Sequence, residues 1–353
     1  MKKLETNKVY TGSCLEVLKT FPDESIDTCI TSPPYWGLRD YGVDNQLGLE
    51  ETPEEFISKL CDVFDEVNRV LRPHGSCWVN LGDSYCRTPN SQDKSGKTGI
   101  TTHKYDYDFK HNKNYSSAYK QKSLVQIPSR FSIEMTNRGW ILRNEIIWHK
   151  PSCLPASVQD RYTVNYEKMF FFTKNPKYYF KQQIEETKDL LQRNKRTVWS
   201  VNTASFKGAH FATYPPELLK SPIDATCPRF IDKVTKKPRE IVIEKKSMER
   251  HELPKDSPNY RPARYVGKYS QGQRYAMYNE IGYDDGRDDD EFEPGVVLDP
   301  FFGSGTTAEV AMSQDKDWVG IELNKDYVKI SDSRLEKPKI ARKTREKSKQ
   351  FWE

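Results

Sequence analysis

The sequence predicts an α/β fold with a doubly wound, mostly parallel sheet, and two segments carry this prediction. Residues 26–81 read as a buried strand, a capped helix and a second strand. Residues 296–323 repeat that order as a strand, a glycine-rich loop, a helix and another strand. Strands that alternate with helices are typical of parallel sheets, because the helix returns the chain to the edge where the next strand starts.

The first segment ends its opening strand at a rigid turn. The strand runs directly into Ser32-Pro33-Pro34-Tyr35, where the prolines cannot continue a hydrogen-bonded ladder. We predict a helix with Thr52 as its N-cap, Pro53 in its first turn and Glu55 closing a capping box. Residues 76–81 are expected to form the next strand.

The rest of the chain combines regular elements with segments of unusual composition. The remaining elements are expected at residues 127–137 (helix), 141–148 and 168–173 (strands), 296–298 (strand), 306–312 (helix) and 318–323 (strand). Residues 86–122 lack apolar periodicity and predict a mobile loop insertion. Residues 226–294, basic first and acidic later, predict an irregular charged insertion, for which DNA contact is favoured over the alternative of a plain solvated face. Residues 337–353 predict a basic tail. We expect residues 1–353 as a whole to form a single domain.

Composition narrows the class of protein and its compartment. The 353 residues carry a formal net charge of only +5, so basic residues matter by their location rather than by their number. Seven cysteines are scattered without a Cys-x-x-Cys pair, which disfavours a zinc knuckle and fits reduced thiols in a cytoplasmic protein. We expect no signal peptide, no membrane span and no metal site, because neither apolar runs nor histidine spacing suggest them.

The glycine-rich loop predicts a nucleotide-cofactor site. The strand at residues 296–299 ends in Asp299 and is followed by Gly303-x-Gly305 and a helix, so backbone N–H groups can approach a ligand closely. The next strand ends at Glu322, where a carboxylate can accept hydrogen bonds from ribose hydroxyls. An ordinary glycine turn is the alternative, and Asp299 and Glu322 argue against it. The loop lacks the Gly-x-Gly-x-x-Gly fingerprint, which disfavours a dinucleotide.

The proline turn predicts a pocket for an exocyclic amino group. Such a nitrogen is a weak nucleophile because its lone pair is delocalised into the ring. The Ser32 hydroxyl and the Pro33 carbonyl can accept its N–H hydrogens from a fixed direction, which returns electron density to the nitrogen. Tyr35 offers a stacking face for a base taken out of the duplex. A simple proline turn is the alternative, and the flanking serine, tyrosine and strand make it the weaker interpretation.

These residues give the chain its resemblance to a known family. It resembles the circularly permuted, beta-type DNA amino-methyltransferases, which use S-adenosylmethionine and attack cytosine N4 or adenine N6. The resemblance extends over most of the chain outside the two insertions and the tail. The other segments that resemble the family are residues 11–18, 31–41, 80–85, 146–151, 196–199 and 207–215.

The resemblance implies a Rossmann-like methyltransferase sheet and direct methyl transfer to the nitrogen by base flipping, with no enzyme-bound intermediate. S-adenosylmethionine would be the cofactor, S-adenosylhomocysteine the product, and no metal or catalytic cysteine would be needed. The catalytic residues implied are Ser32, Pro33, Pro34 and Tyr35. The cofactor-binding residues implied are Ser13, Thr31, His210, Phe211, Asp299, Phe301, Gly303, Ser304, Gly305, Thr306 and Glu322. The implied partners are double-stranded DNA and a cognate restriction endonuclease, with the chain a monomer or homodimer.

The sequence leaves several alternatives open. The family usually has an acidic residue at the position of Ser13, so this contact departs from the pattern. Ser32 before Pro-Pro-Tyr favours cytosine N4 over adenine N6, although both bases offer an amino group with two donors. An amide nitrogen of protein or a base of RNA is a more distant substrate. A DNA-binding protein without catalysis is a further alternative, against which the intact Gly303, Gly305 and Glu322 argue.

Overall fold

The fold is built on an eight-stranded, mostly parallel sheet with helices on both faces, as the sequence predicts. The structure, a computed structural model, describes residues 3–37, 43, 46–86, 119–153, 155–186, 192–203, 214–246, 277–283 and 285–350. In spatial order the strands are Lys8–Thr11 (β1), Asp317–Glu322 (β14), Val296–Asp299 (β13), Ile26–Thr31 (β2), Leu71–Leu81 (β3), Tyr166–Thr173 (β5), Ile141–His149 (β4) and Val198–Ser200 (β8).

The other described elements are helices and small hairpins. The helices are Cys14–Leu18 (α1), Pro53–Val70 (α2), Ile127–Asn137 (α3), Pro216–Thr226 (α4), Thr306–Ser313 (α5) and Lys325–Gln350 (α6). The two-stranded sheets pair Ile184–Glu186 (β6) with Gln192–Asn194 (β7), Ile231–Asp232 (β9) with Phe292–Glu293 (β12), and Val242–Lys246 (β10) with Met277–Gly282 (β11). Within the described chain, no helix is both long enough and apolar enough to span a membrane.

Strand direction decides which chain ends meet at one edge of the sheet. Strands β1, β14, β13, β2 and β3 run parallel to one another. Strand β5 is antiparallel to both β3 and β4, and β8 is parallel to β4. The carboxyl ends of seven strands and the first residues of β5 therefore lie at the same edge.

A topological switch point lies between the paired strands β13 and β2. The chain leaves β2 for β3 on one side and leaves β13 for β14 on the other, so the loops that follow β2 and β13 diverge. Ligands of open α/β sheets bind in the crevice that this divergence opens. The proline turn and the glycine loop follow these two strands directly.

Neighbouring residues on the central strands pack on opposite faces of the sheet. Cys29 lies in a core cluster with α1, α2 and α3, whereas Ile30 lies in a second cluster with α4, α5 and α6. Leu298 and Val297 on β13 divide in the same way. Burial on both faces explains why apolar residues stand next to each other in these strands, as Cys29 and Ile30 do, instead of alternating with polar ones.

Helix α2 and strand β3 differ in detail from the sequence prediction. Thr52 caps α2 by accepting from the backbone N–H of Glu55 at 3.1 Å, but the Glu55 carboxylate pairs with Lys59 at 2.9 Å instead of completing the capping box. Strand β3 starts at Leu71 rather than residue 76, because Leu71 already pairs with Ile26. A bulge follows, after which β2 and β3 pair in a regular register.

The expected charged insertion at residues 226–294 is partly regular and pairs its own charges. Its described parts contain β9 to β12. The Arg239 guanidinium binds Asp285 at 2.7 Å and Asp289 at 2.6 Å. Lys236 pairs with Glu293 at 2.8 Å. The acidic end of the segment therefore neutralises basic side chains that would be counted as unpaired from composition alone.

Two further expectations fall partly inside the described residues. The expected basic tail at residues 337–353 is helical as far as Gln350, and Arg342 anchors it by donating to Asp317 at 2.8 Å. Most of the expected mobile loop at residues 86–122 lies outside the described residues. At its end, the Tyr119 hydroxyl donates to Glu54 and its ring lies under Arg130, so this aromatic packs on the protein itself.

A buried ion cluster holds the edge of the sheet opposite the switch-point loops. Asp27 is fully buried on β2 and accepts from Arg72, from His74 and from the backbone N–H of Val296 on β13, at 2.7–2.8 Å. Burial alone would raise the pKa of Asp27, but the His74 bond, the Arg72 charge and the Val296 N–H outweigh it and lower the pKa. The charged carboxylate is therefore a stabilising group.

We predict that Asp27→Asn lowers the free energy of unfolding by about 3–5 kcal/mol near neutral pH, because Arg72 would keep a buried charge without its close counter-ion. The folded pKa lies below the unfolded value of about 3.9, so the contribution is complete above that pH and is lost as pH falls through the folded pKa. Denaturant unfolding should show wild type and variant converging in acid. Asp23→Asn, at the exposed partner of Arg69, is the control; equal effects in both variants would contradict the assignment.

Candidate active site

A single cavity of about 530 Å³ lies at the switch point and is lined by both sequence motifs. Its proline-turn side contains Ser32, Pro33, Pro34 and Tyr35. Its glycine-loop side contains Phe301, Gly303, Ser304, Thr306 and Glu322, with Ser13 from the loop after β1. The volume lies within the range of about 300–1,000 Å³ that is common for small-molecule sites. The fold thus joins motifs that stand at opposite ends of the chain.

The glycine loop is shaped by two residues with positive φ. Gly305 has a φ of +84° as the N-cap of α5, and Gly303 has a φ of +52°. A Cβ built on Gly303 would meet nothing within 4 Å, whereas one on Gly305 would lie 3.2 Å from Leu335. Gly305 does not line the cavity. Its role is to turn the backbone, and Gly303 keeps the space beside the backbone open.

Glu322 joins the glycine loop to the end of β14. One carboxylate oxygen accepts from the backbone N–H of Gly303 and the other from that of Asn324, each at 2.8 Å. Burial raises the pKa of Glu322, and the two backbone N–H groups oppose that effect. Each oxygen has a further lone pair for a ligand hydroxyl, and the residue faces the cavity.

Asp299 lies behind the cavity wall rather than in it. One of its oxygens accepts from the Thr31 hydroxyl at 2.6 Å and from the Phe301 N–H at 3.1 Å. The other accepts from the hydroxyls of Thr307 at 2.5 Å and Tyr214 at 2.9 Å. Burial raises the pKa of Asp299, although all four hydrogen bonds oppose the rise. The carboxylate therefore ties β13 to β2 and α5.

Arg334 on α6 holds the glycine loop from outside. Its guanidinium donates to the Ser304 hydroxyl at 2.8 Å and to the Thr306 hydroxyl at 2.9 Å. Glu309 on α5 pairs with the same guanidinium at 2.7 Å. The loop is thereby fixed by side chains from two helices before any ligand binds, which limits the entropy lost on binding.

Tyr35 is fixed on one ring face and at its hydroxyl. Its ring lies directly on the backbone of Gly82, where an added Cβ would collide with a ring carbon. Its hydroxyl donates to Glu167 at 2.7 Å. Asn80, at the end of β3, lies between the two motif residues, with its carbonyl oxygen 3.4 Å from the hydroxyls of both Ser32 and Tyr35.

An ion pair and a neutral thiol complete the cavity wall. Lys150, which follows β4, donates to the Glu167 carboxylate, and its ammonium lies 4.4 Å from the centre of the Trp148 ring. Burial raises the pKa of Cys14 to about 12. This cysteine is therefore a thiol rather than a nucleophilic thiolate at neutral pH.

The structure divides the candidate site residues into three groups. Those in the cavity wall are Ser13, Ser32, Pro33, Pro34, Tyr35, Phe301, Gly303, Ser304, Thr306 and Glu322. Thr31, Asp299 and Gly305 do not line the cavity and lie behind its wall, and their expected contacts with a cofactor stay a prediction. His210 and Phe211 lie outside the described residues, although Thr203 and Tyr214 on either side line the cavity.

Some residues of the site carry no recognisable signal in the sequence. Glu167, Tyr214 and Arg334 are isolated polar residues whose partners are remote in the chain. Asn80 and Lys150 fall within segments that resemble the family, but the resemblance assigns these two residues no role. The pairing of β3, β5 and β4 brings Asn80, Glu167 and Lys150 together, which no local pattern indicates.

Comparisons with known proteins show which family this chain is similar to. A family model described as DNA methylase, of the N6/N4 methyltransferase type, matches residues 26–235 and 291–333. The chain is 35% identical over 336 residues to the type II methyltransferase M.Cfr9I of Citrobacter freundii, covering 93% of this chain and 87% of that protein. It is 31% identical over 340 residues to M.SmaI of Serratia marcescens, covering 94% and 91%.

Solved structures share the fold at low identity. PvuII DNA methyltransferase (cytosine-N4-specific) aligns with a TM-score of 0.55 and 19% identity, over 94% of this chain and 87% of that chain. TTHA0409 from Thermus thermophilus, complexed with S-adenosyl-L-methionine, aligns with a TM-score of 0.50 and 18% identity, over 94% and 95%. These likenesses show the Rossmann-like methyltransferase sheet.

We predict that Asp299→Ala lowers the free energy of unfolding by roughly 2–6 kcal/mol, because at least two buried donors would lose their acceptor at about 1–3 kcal/mol each. Chemical denaturation is the measurement. Asp332→Ala on the exposed face of α6, where the side chain is 62% exposed, is the control, expected within about 0.5 kcal/mol of wild type. If both variants are equally stable, the Asp299 contacts do not hold the loop.

Proposed function

This chain belongs to the N6/N4 DNA methylase family, and from that premise we propose that it methylates the exocyclic N4 of cytosine in duplex DNA. The methyl donor would be S-adenosylmethionine. Methylation of a DNA base is the activity of the family; the choice of cytosine N4, the residue roles and the permuted motif order are our proposal. The observation that carries it is the shared cavity of the proline turn and the glycine loop.

The glycine-loop side of the cavity fits a nucleoside with a charged tail. Glu322 offers carboxylate lone pairs for ribose hydroxyls, and Leu15, Phe301 and Ile321 add apolar surface for a flat base. The absence of a Cβ on Gly303 leaves room beside the backbone. When bound, S-adenosylmethionine supplies an electrophilic methyl group on its sulfonium.

The proline-turn side of the cavity fits the base that accepts the methyl group. Ser32 and the Pro33 carbonyl accept N–H hydrogens of the amino group, so that its lone pair is directed at the incoming methyl carbon. Tyr35, held at its hydroxyl and on one ring face, provides a rigid surface for the flipped base. The main catalytic contribution is alignment, because a direct displacement needs nitrogen, carbon and sulfur in line.

Cytosine is preferred to adenine in this proposal because the residue before Pro-Pro-Tyr is serine. In the family that the chain resembles, serine at this position favours cytosine N4. Adenine N6 is the second candidate, since its amino group presents the same two donors. Digestion of modified DNA to nucleosides, followed by mass measurement of the methylated base, distinguishes them.

The chain's partners follow from the same premise. Duplex DNA is the proposed substrate, and the relatives' names as type II methyltransferases support a companion restriction endonuclease that shares the recognition sequence. We retain DNA contact by residues 226–294 as part of the proposal, carried by those cations that the acidic end does not pair. A cytoplasmic location suits both partners.

We predict that Ser32→Ala lowers the rate of the chemical step, because one acceptor for the amino group is lost, and that Tyr35→Ala weakens capture of the flipped base by about 1–3 kcal/mol. Single-turnover methylation at saturating DNA and cofactor measures the first effect, and a titration of DNA measures the second. Ser333→Ala, exposed on α6, is the control. If both site variants keep the wild-type rate and the wild-type affinity for DNA, the motif is a simple proline turn without a role in catalysis.

We predict that Glu322→Ala weakens S-adenosylmethionine binding by about 10- to 100-fold, because ribose hydroxyls would lose a charged acceptor. Gly305→Ala should weaken it as well, since a side chain at a φ of +84° displaces the loop. Calorimetry measures both. Gly139→Ala carries similar backbone strain, with a φ of +96°, but no cavity contact, and should bind normally. Unchanged affinity in the first two variants would contradict the site.

A further inference from the structure

Glu167 is a half-buried carboxylate that faces the proline turn but comes from a different part of the sheet. It lies at the start of β5, where the antiparallel direction of that strand brings it beside the ends of β3 and β4. Its side chain is 16% exposed, and it lines the cavity. A carboxylate in this position has to be paired or hydrogen-bonded to remain charged.

The two oxygens of Glu167 have different partners. Oε1 accepts from the Lys150 ammonium, which supplies the compensating charge. Oε2 accepts from the Tyr35 hydroxyl at 2.7 Å and from the Asn80 amide nitrogen at 3.1 Å. One oxygen of the Glu167 carboxylate is thus held in an ion pair. The other accepts hydrogen bonds from the residues that flank the amino pocket.

The hydrogen-bonding capacity of Asn80 fixes the orientation of its amide. Its Nδ2 group donates to Glu167 and to the backbone carbonyl of Lys168 at 3.2 Å, so both amide hydrogens are used. Its Oδ1 atom then points at the hydroxyls of Ser32 and Tyr35, each at 3.4 Å. Since the Tyr35 proton goes to the closer Glu167 oxygen, Oδ1 remains as the acceptor for the Ser32 proton.

We infer that Glu167 is a positioning residue that acts through Asn80 on Ser32. The Ser32 hydroxyl gives its proton to Asn80, so its lone pairs are left for the amino group of the base. The negative charge polarises the Asn80 amide, which strengthens the Ser32 oxygen as an acceptor through a cooperative chain of hydrogen bonds. The long Ser32–Asn80 contact is expected to shorten when a base binds. This inference rests on the proposed function.

The test is a double-mutant cycle on the chemical step. Glu167→Gln keeps an amide oxygen for Tyr35 and Asn80 but removes the charge. We expect the single-turnover rate to fall by about 10- to 100-fold at saturating DNA and cofactor. The affinity for S-adenosylmethionine should stay at its wild-type value, whereas the melting temperature should fall because Lys150 loses its close counter-ion. A structural role alone would lower stability and leave the rate of the folded enzyme unchanged.

The cycle identifies the route of the effect. If Glu167 acts through Ser32, then Ser32→Ala combined with Glu167→Gln should be no more than about twofold slower than Ser32→Ala alone, because coupled sites are not additive. Glu145→Gln is the matched control, since that carboxylate also pairs with a lysine, Lys168 at 3.0 Å, but does not line the cavity. It should retain the wild-type rate.

The outcomes separate the two proposals. A wild-type enzyme that methylates DNA, together with rate losses that multiply in the double variant, would overturn the role of Glu167 and leave the proposed function intact. An unchanged rate in Glu167→Gln would do the same. A wild-type protein that methylates no DNA would overturn the proposed function and this inference with it.

Discussion

The pairing of β13 with β2 is the constraint on which the site depends. Each strand contributes an aspartate that binds the other strand: Asp27 accepts from the Val296 N–H at one end, and Asp299 accepts from the Thr31 hydroxyl at the other. The partners are 269 and 268 residues apart in the chain. Bonds at both ends oppose a slip in register, which would turn every side chain of the strand to the other face. The proline turn and the glycine loop consequently emerge side by side.

The change of direction at β5 supplies the residues that complete the site. Parallel strands deliver only their last residues to the cavity edge, and these are followed by loops. The antiparallel β5 delivers its first residues instead, so Glu167 stands on a rigid element, opposite Trp148 on β4 and within hydrogen-bonding distance of Asn80 on β3. A carboxylate on a strand is held more precisely than one on a loop, which suits a role in orienting a hydroxyl.

The charge of this protein is distributed differently from what its composition indicates. There are 56 basic and 51 acidic residues, and many of the described cations are neutralised close by. Arg287, for example, pairs with Asp232 at 2.5 Å and with Glu291 at 2.8 Å in the charged insertion. Exposed pairs such as that of Arg287 with Glu291 add little stability. They do decide which cations remain to attract phosphate, and a count of Lys and Arg overestimates that number.

The sequence by itself determined the fold class, the two loops of the site and the helix α2 with its cap. These features depend on local signals: prolines that stop a strand, glycines that permit positive φ, and apolar spacing within one element. The strands β2, β4, β5, β13 and β14 were predictable to within two residues for the same reason. Ser32 and Glu322 could be assigned to the ends of strands, where ligands bind, because Ser32 directly follows a strand and Glu322 ends one.

Only the tertiary structure decided which side chains meet. The bond from Tyr35 to Glu167 spans 132 residues, and the support of the glycine loop by Arg334 requires α6 to pack on α5. It also placed Asp299 behind the wall rather than in it, and paired the acidic and basic ends of the charged insertion. Such contacts follow from strand order, strand direction and register. A local pattern encodes none of these, because they are set by the packing of the whole sheet.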